Sequence, residues 1–241
     1  MTSPRRVLVL TPTYNERDNL APFIGDLLHV LPDAHLLVID DSSPDGTGEL
    51  ADELAAGDER ISVLHRPRKL GLGTAYVEGF RYALHHDYDT IFEMDTDLSH
   101  DARHLPSFLR ALADGADVAV GSRNILGGGV VGWGLRRHLI SRGGSIYARA
   151  ILGVSVRDLT TGYKGYTRRA LEQIDVESLR SDGYAFQIET TYRALCRGLQ
   201  VVEVPIVFVD RRVGRSKLDG KVFAEAIVAV WRLRLTELLG R

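Results

Sequence analysis

The sequence predicts an α/β fold on a doubly wound, mostly parallel central sheet flanked by helices, and three observations predict it. Apolar runs of strand length alternate with helical stretches along the first 121 residues. Three polar clusters stand directly behind such runs, where an open α/β sheet gathers its ligands. The composition, 44% hydrophobic and 26% charged over 241 residues, is that of an ordinary globular chain with room for one large core.

The alternation begins with a strand at 7–10, a helix at 20–30, a strand at 36–39, a helix at 48–56 and a strand at 61–64, a βαβαβ opening. It continues with a helix at 74–84, a strand at 90–94, a helix at 102–112 and a strand at 118–121. Beyond Gly121 the texture changes to a Gly127-Gly128-Gly129 loop and a basic helical stretch at 135–152, which Gly143-Gly144 is expected to weaken or kink. A short strand at 163–167, a helix at 184–196, a strand at 201–209 and a helix at 221–239 complete the reading. There is no internal repeat, and the expectation is a single domain with functional halves 1–121 and 122–241.

The net charge of -2 conceals an asymmetry: residues 1–120 carry 10 Lys and Arg against 21 Asp and Glu, and residues 121–241 carry 20 against 11. An acidic half can hold a divalent cation and a basic half can receive phosphates, beside the solvated charge that any surface carries. The single cysteine, Cys196, excludes an internal disulfide framework and is read as a buried core thiol. No apolar run approaches the roughly 18 to 20 residues of a spanning helix, and no secretory h-region follows Met1. A cytoplasmic chain with peripheral membrane contact is expected, and no nucleic-acid partner.

The clusters are Thr11-Pro12-Thr13-Tyr14-Asn15-Glu16, the run from Asp40 to Thr47, and Asp95-Thr96-Asp97-Leu98-Ser99-His100. Any one of them alone reads first as turn and capping chemistry; three in succession at strand ends reverse that reading and point to a shared rim. Strand alternation sends the carboxylates of Asp95 and Asp97 to one side, where a hard cation can take their oxygens together with those of a diphosphate. His100 reads as a capping or surface histidine, since no second His or Cys stands at zinc-ligand spacing.

The ordered set TPTYNE, VIDDSSPDGT, RPRKLGLGTAY, EMDTDLSH, GSRN, DLTTGYKGY, DGYAFQIE and RRVGRSKL resembles the family-two glycosyltransferases of the GT-A fold. Within them it is most similar to the dolichol- and polyprenol-phosphate mannose synthases. The resemblance implies a nucleotide-sugar site of Pro12, Tyr14, Glu16, Ile39, Asp40, Asp41, Asp95, Thr96, Asp97, Arg123, Arg211 and Lys217. Of the adjacent aspartates the pattern favours Asp41 and leaves Asp40 structural. Lys69 reads either as a nucleotide contact or as a surface lysine. Asp95 and Asp97 would ligate Mg2+ or Mn2+, with Ser99 where relatives often place a glutamine. Asp95, Asp97 and Arg123 form the implied catalytic set; the planar fork of Arg123 suits a phosphate.

Residues 121–152 hold Arg123, Arg136, Arg137, Arg142 and Arg149 and no acidic residue. Trp133, Leu135, Leu139, Ile140, Ile146, Tyr147 and Ile151 interleave with them. Two readings stand: an amphipathic helix on an anionic membrane, or a core-packed helix with a solvated basic face. The resemblance implies that Arg123, Arg137 and Ser141 hold the acceptor phosphate, with Arg137 and Ser141 on one helical face. Phe223, Ile227, Val230 and Trp231 among arginines suggest a second interfacial helix or a dock for a membrane-anchoring partner or a second copy.

The implied reaction is direct, inverting transfer of mannose from GDP-mannose to a polyprenyl or dolichyl monophosphate. UDP-glucose is the rival donor on the same fold. A nicotinamide-binding oxidoreductase lacks its glycine fingerprint here, since TPTYNE follows the first strand. A non-catalytic binding subunit conflicts with the intact Asp95 and Asp97.

Overall fold

The computed structural model describes residues 6–210 and 228–236; within that span the side chains of residues 135–140 are not described. The strands are β1 (Val7–Thr13), β2 (His35–Asp40), β3 (Ile61–His65), β4 (Thr90–Glu93), β5 (Val118–Ser122), β6 (Gly129–Val131), β7 (Lys164–Thr167), β8 (Val201–Pro205) and β9 (Val207–Val209). The helices are α1 (Arg17–Val30), α2 (Thr47–Gly57), α3 (Leu72–His85), α4 (Leu105–Ala113), α5 (Leu135–Leu152), α6 (Arg168–Ile174) and α7 (Gly183–Cys196). Residues 228–236 are helical.

Seven strands form one sheet in the order β3-β2-β1-β4-β7-β5-β8. All its neighbours are parallel except β7, which runs antiparallel to both β4 and β5. Strand residues alternate between two apolar layers because successive side chains face opposite ways. Leu8, Leu10, Leu37, Ile39, Val118 and Val120 enter one core, and Val9, Leu36, Val38, Phe92 and Ala119 enter the other. Helices cover both faces, which is why the strands read as continuous apolar runs.

The structure differs from these expectations in four places. The expected strand at 201–209 is two strands: after Pro205 the Ile206 N–H donates to the Ser122 carbonyl at 3.1 Å, and the chain passes to a second, two-stranded sheet of β6 and β9. Helix α6 was not expected; it is only 7 residues long, capped by Thr167, whose Oγ1 accepts from the Ala170 N–H. Helix α5 runs unbroken through Gly143-Gly144 and ends on Gly153 at φ 69°. Its described part packs inward through Ala148 and Leu152, which favours the core reading there, while Ile146 faces outward. Cys196, at the end of α7, is half-buried rather than buried.

Two ionisable residues of opposite type face each other inside the sheet. Glu93 of β4 stands opposite Lys164 of β7 in register, and both are fully buried. The Lys164 ammonium donates to the Gln187 carbonyl at 2.7 Å and to Thr190 Oγ1 at 2.9 Å. The Tyr166 hydroxyl donates to Glu93 Oε1 at 3.0 Å. Burial outweighs the Lys164 charge and pushes the Glu93 carboxyl up to about 7; burial likewise brings Lys164 down to about 8.

This burial has a consequence for stability. Between pH 4.5 and about 7 the folded chain keeps a Glu93 proton that the unfolded chain has released, so the Glu93 contribution falls as pH rises through that window. Urea unfolding of Glu93→Gln should lack this loss, on the order of 3 kcal/mol relative to wild type across the window. Parallel pH profiles for the two proteins would contradict it.

Candidate active site

The three sequence clusters meet where β1, β2 and β4 end. Each contains one non-glycine residue in the left-handed region: Asn15 at φ 60°, Ser42 at φ 54° and Leu98 at φ 62°. For a leucine this is an unusual conformation, and such strain gathers at sites the surrounding fold over-determines. The sharp turns hold the cluster side chains at the rim.

Because β7 is antiparallel, the residues that enter it arrive at the same rim. Thr160, Thr161 and Gly162 therefore join Asp95 and Asp97 around a cavity of about 370 Å³. Pro12, Tyr14, Asp41 and Lys69 line one part of it; Arg123, Trp133, Tyr184 and Phe208 line another.

Asp40 and Asp41 have different partners. Asp40 is buried, with Oδ1 accepting from Thr13 Oγ1 at 2.9 Å and Ser43 Oγ at 2.6 Å, so it braces the loop and does not line the cavity. Asp41 does line it, paired with Arg66 Nη1 at 2.6 Å and accepting from the Leu70 N–H at 3.2 Å. Arg66, itself buried, also reaches Glu78, Thr74 and the Gly71 carbonyl. It ties the end of β2 to the loop that presents Lys69, whose ammonium lies 3.8 Å from the Tyr14 ring centroid. Ile39 is fully buried against Gly79, behind the cavity wall and not in it.

At the cavity centre the Asp95 side chain is 32% exposed, and Asp97 is buried beside it. Ser99, expected beside the metal, is buried and outside the cavity lining, and both its Oγ (2.5 Å) and its N–H (3.0 Å) donate to Asp97 Oδ1. It orients Asp97. His100 is neither a cap nor a surface residue; its buried ring lies 4.9 Å from Tyr163 in a stacked arrangement, and Nδ1 accepts from the Asp95 N–H at 3.1 Å. Among the described residues no group of three or more His, Cys, Asp or Glu gathers as a ready-made metal cage. Two carboxylates beside Gly162, where a Cβ would stand 3.7 Å from both Asp95 oxygens, leave room for further oxygen donors. That donor set suits a hard divalent cation.

Arg123 leaves β5 and makes two parallel bonds to Asp158, Nε to Oδ2 and Nη2 to Oδ1, both 2.7 Å. Nη2 also donates to Thr160 Oγ1 at 3.0 Å. Burial alone would raise the Asp158 carboxyl, but the guanidinium outweighs it and holds Asp158 below its usual range. The Arg123 guanidinium lies 5.6 Å from the Trp133 ring centroid and 5.5 Å from that of Phe208. It is thus rigidly held in a wall that is otherwise aromatic.

Ser141 is half-buried on α5 and outside the cavity lining. The Arg137 side chain, Arg211 and Lys217 lie outside the described residues. Sequence reasoning missed Arg66, Asp182 and Gln187, although the last two stand in the DGYAFQIE motif. Asp182 Oδ1 accepts from the Gly73 N–H at 2.6 Å, which joins the start of α3 to the loop before α7. Glu189 accepts from the Ser181 N–H and pairs with Arg193 at 2.6 Å, so it supports that loop from behind.

Residues 8–175 match the model of Glycosyl transferase family 2. The polyprenol monophosphomannose synthase of Mycolicibacterium smegmatis is 48% identical over 233 residues, 95% of this chain and 88% of that protein. The undecaprenyl-phosphate mannosyltransferase of Micrococcus luteus is 46% identical over 227 residues, 94% of this chain and 93% of that protein. Among solved structures, glucosyl-3-phosphoglycerate synthase from Mycobacterium tuberculosis in complex with UDP superposes with a TM-score of 0.70 at 20% identity, covering 96% of this chain and 81% of that one. The same enzyme with Mn2+, UDP and glucosyl-3-phosphoglycerate gives 0.70 at 20% identity, over 96% and 80%. Carboxylates and a buried arginine around one cavity, on this sheet and with these relatives, make the chain a GT-A-fold glycosyltransferase belonging to glycosyl transferase family 2.

Proposed function

We propose that this protein transfers mannose from GDP-mannose to a polyprenyl monophosphate, with inversion at the anomeric carbon, as a single catalytic domain working at a membrane surface. One observation carries the reading: Asp95 and Asp97 from the acidic half and Arg123 from the basic half face the same cavity. The names of the two relatives supply the sugar and the acceptor class.

Pro12, Tyr14, Asp41 and Lys69 are assigned to the nucleoside end. Asp95 and Asp97 would hold Mg2+ or Mn2+, which when bound supplies positive charge to the leaving diphosphate. Arg123 receives the acceptor phosphate and lessens its repulsion from the diphosphate. A phosphate oxygen forms the new bond to the anomeric carbon as the bond from that carbon to the diphosphate breaks, and GDP departs with the electron pair. With a second pKa of about 6, the acceptor phosphate is largely ionised at neutral pH and needs no strong general base. Asp158 and Glu189 are occupied in holding Arg123 and the loop before α7, in keeping with that.

No helix of the described residues is long and apolar enough to cross a membrane. Helix 228–236 instead turns Val230 into the core and leaves Val228, Trp231 and Leu235 outward. Val230 thus drops out of the outward face expected from sequence, and Phe223 and Ile227 lie outside the described residues. The remaining stripe supports peripheral contact with a lipid surface or a membrane-anchoring partner.

Purified protein given a short polyprenyl phosphate and Mn2+ should form lipid-linked sugar from GDP-mannose at least tenfold faster than from UDP-glucose; the reverse preference overturns the donor assignment. Asp97→Ala should lower metal-dependent transfer by at least about 100-fold. Arg123→Lys, which loses the planar fork, should lower kcat more than tenfold and also the melting temperature, because it weakens a buried pair. Wild-type transfer rates in either variant would contradict the roles given to these residues.

A further inference from the structure

Gln187 lies on the second turn of α7, lines the cavity and is 2% exposed. Neither its amide nitrogen nor its amide oxygen has a hydrogen-bond partner. Glu93 lies close enough for the amide to act on its carboxyl as a weak donor, but the contact falls short of hydrogen-bond geometry, since Gln187 Nε2, Gln187 Oε1 and Glu93 Oε2 all remain without a well-formed bond. A buried amide left without well-formed hydrogen bonds is costly, and each such group in a folded chain calls for an explanation.

The backbone at this position is unusually well held. The Gln187 carbonyl accepts from Lys164 Nζ at 2.7 Å, Thr191 Oγ1 at 3.1 Å and Thr190 Oγ1 at 3.2 Å. The amide is therefore presented to the cavity by a fixed support. Its neighbour across the cavity floor is Gly162: a Cβ there would stand 3.5 Å from Gln187 Nε2 and 3.7 Å from both Asp95 oxygens. The amide and the Asp95 carboxylate thus flank one small space, and the absent side chain at Gly162 keeps it open.

We infer that Gln187 is a specificity-determining residue whose amide pairs with a hydroxyl of the transferred sugar in the space over Gly162. The inference rests on the nucleotide-sugar reading of the cavity. With the diphosphate at Asp95 and Asp97 and the acceptor at Arg123, the hexose joined to the diphosphate must lie between them, beside Gln187. An amide offers a donor and an acceptor, matching hydroxyls that do both, and a carboxylate or an ammonium would not. A site built to pair with a hydroxyl also rejects donors that lack it.

The test compares GDP-mannose with GDP-mannoses lacking one hydroxyl each, in wild type, Gln187→Ala and Gly162→Ala, with GDP affinity as the control and circular dichroism for folding. Wild type should disfavour at least one deoxy donor by about 100-fold in kcat/KM. Gln187→Ala should transfer that donor and GDP-mannose at rates within threefold of each other, with GDP affinity within twofold of wild type. Gly162→Ala, which leaves the Gln187 support untouched, should cut kcat/KM for GDP-mannose more than tenfold while GDP affinity holds, and decides the matter if Gln187→Ala does not fold. A working Gln187→Ala enzyme that discriminates as wild type does, or an unimpaired Gly162→Ala, overturns the role of Gln187 alone. A wild type that neither binds GDP-mannose nor transfers its sugar overturns the cavity reading and this inference together.

Discussion

Between the parallel strands β4 and β5 the sheet accepts β7 running the other way, so residues entering β7 arrive at the rim that its neighbours reach as they end. Much of the site depends on that reversal. It brings Thr160 to Arg123 and Gly162 to Asp95, and it sets Lys164 opposite Glu93. A parallel strand in the same place would send residues 160–163 to the opposite edge. The chain reaches this arrangement with an acid and a base buried in the sheet interior, and the Lys164 ammonium uses its bonds to anchor the start of α7. The support of the cavity and the buried charge are one structure.

A second layer of order is the way charges are held. Asp41 is tied by Arg66, Asp97 by Ser99, the Asp95 backbone by His100, and Arg123 by Asp158. Each group is fixed by a neighbour at a strand end or on an adjoining loop. Preorganised charge of this kind needs no rearrangement when a charged ligand arrives, which is where most electrostatic stabilisation of a transition state comes from.

Much of the fold was legible in the sequence because both faces of the sheet are covered: strands buried on two sides read as short apolar runs, and each helix follows its strand at ordinary loop length. The antiparallel sense of β7 was not legible, since four residues carry no directional signal. Nor was the break at Pro205, where β8 and β9 share one apolar run. At the site, Asp95 and Asp97 were visible as carboxylates just past an apolar strand, and Asp41 and Arg123 through the family resemblance; all four line the cavity. Ile39 was misplaced, and the bond from Ser99 to Asp97 was not foreseen, because a motif fixes position along the chain, whereas the direction of a side chain depends on a turn such as that at Leu98. His100, Arg66 and Gln187 escaped for a related reason. What each of them meets is set by elements brought together only in the fold, and a buried polar residue looks like any other until the cavity is seen.

In the proposed reaction the two carboxylates act on a nucleoside diphosphate by way of a divalent cation. Calorimetric titration of GDP into the wild-type protein and Asp95→Asn, with and without Mn2+, tests it most directly. The account predicts that Mn2+ tightens GDP binding at least tenfold in wild type and by less than twofold in Asp95→Asn. Equal GDP affinity with and without the metal in wild type, or an undiminished metal effect in the variant, would contradict it.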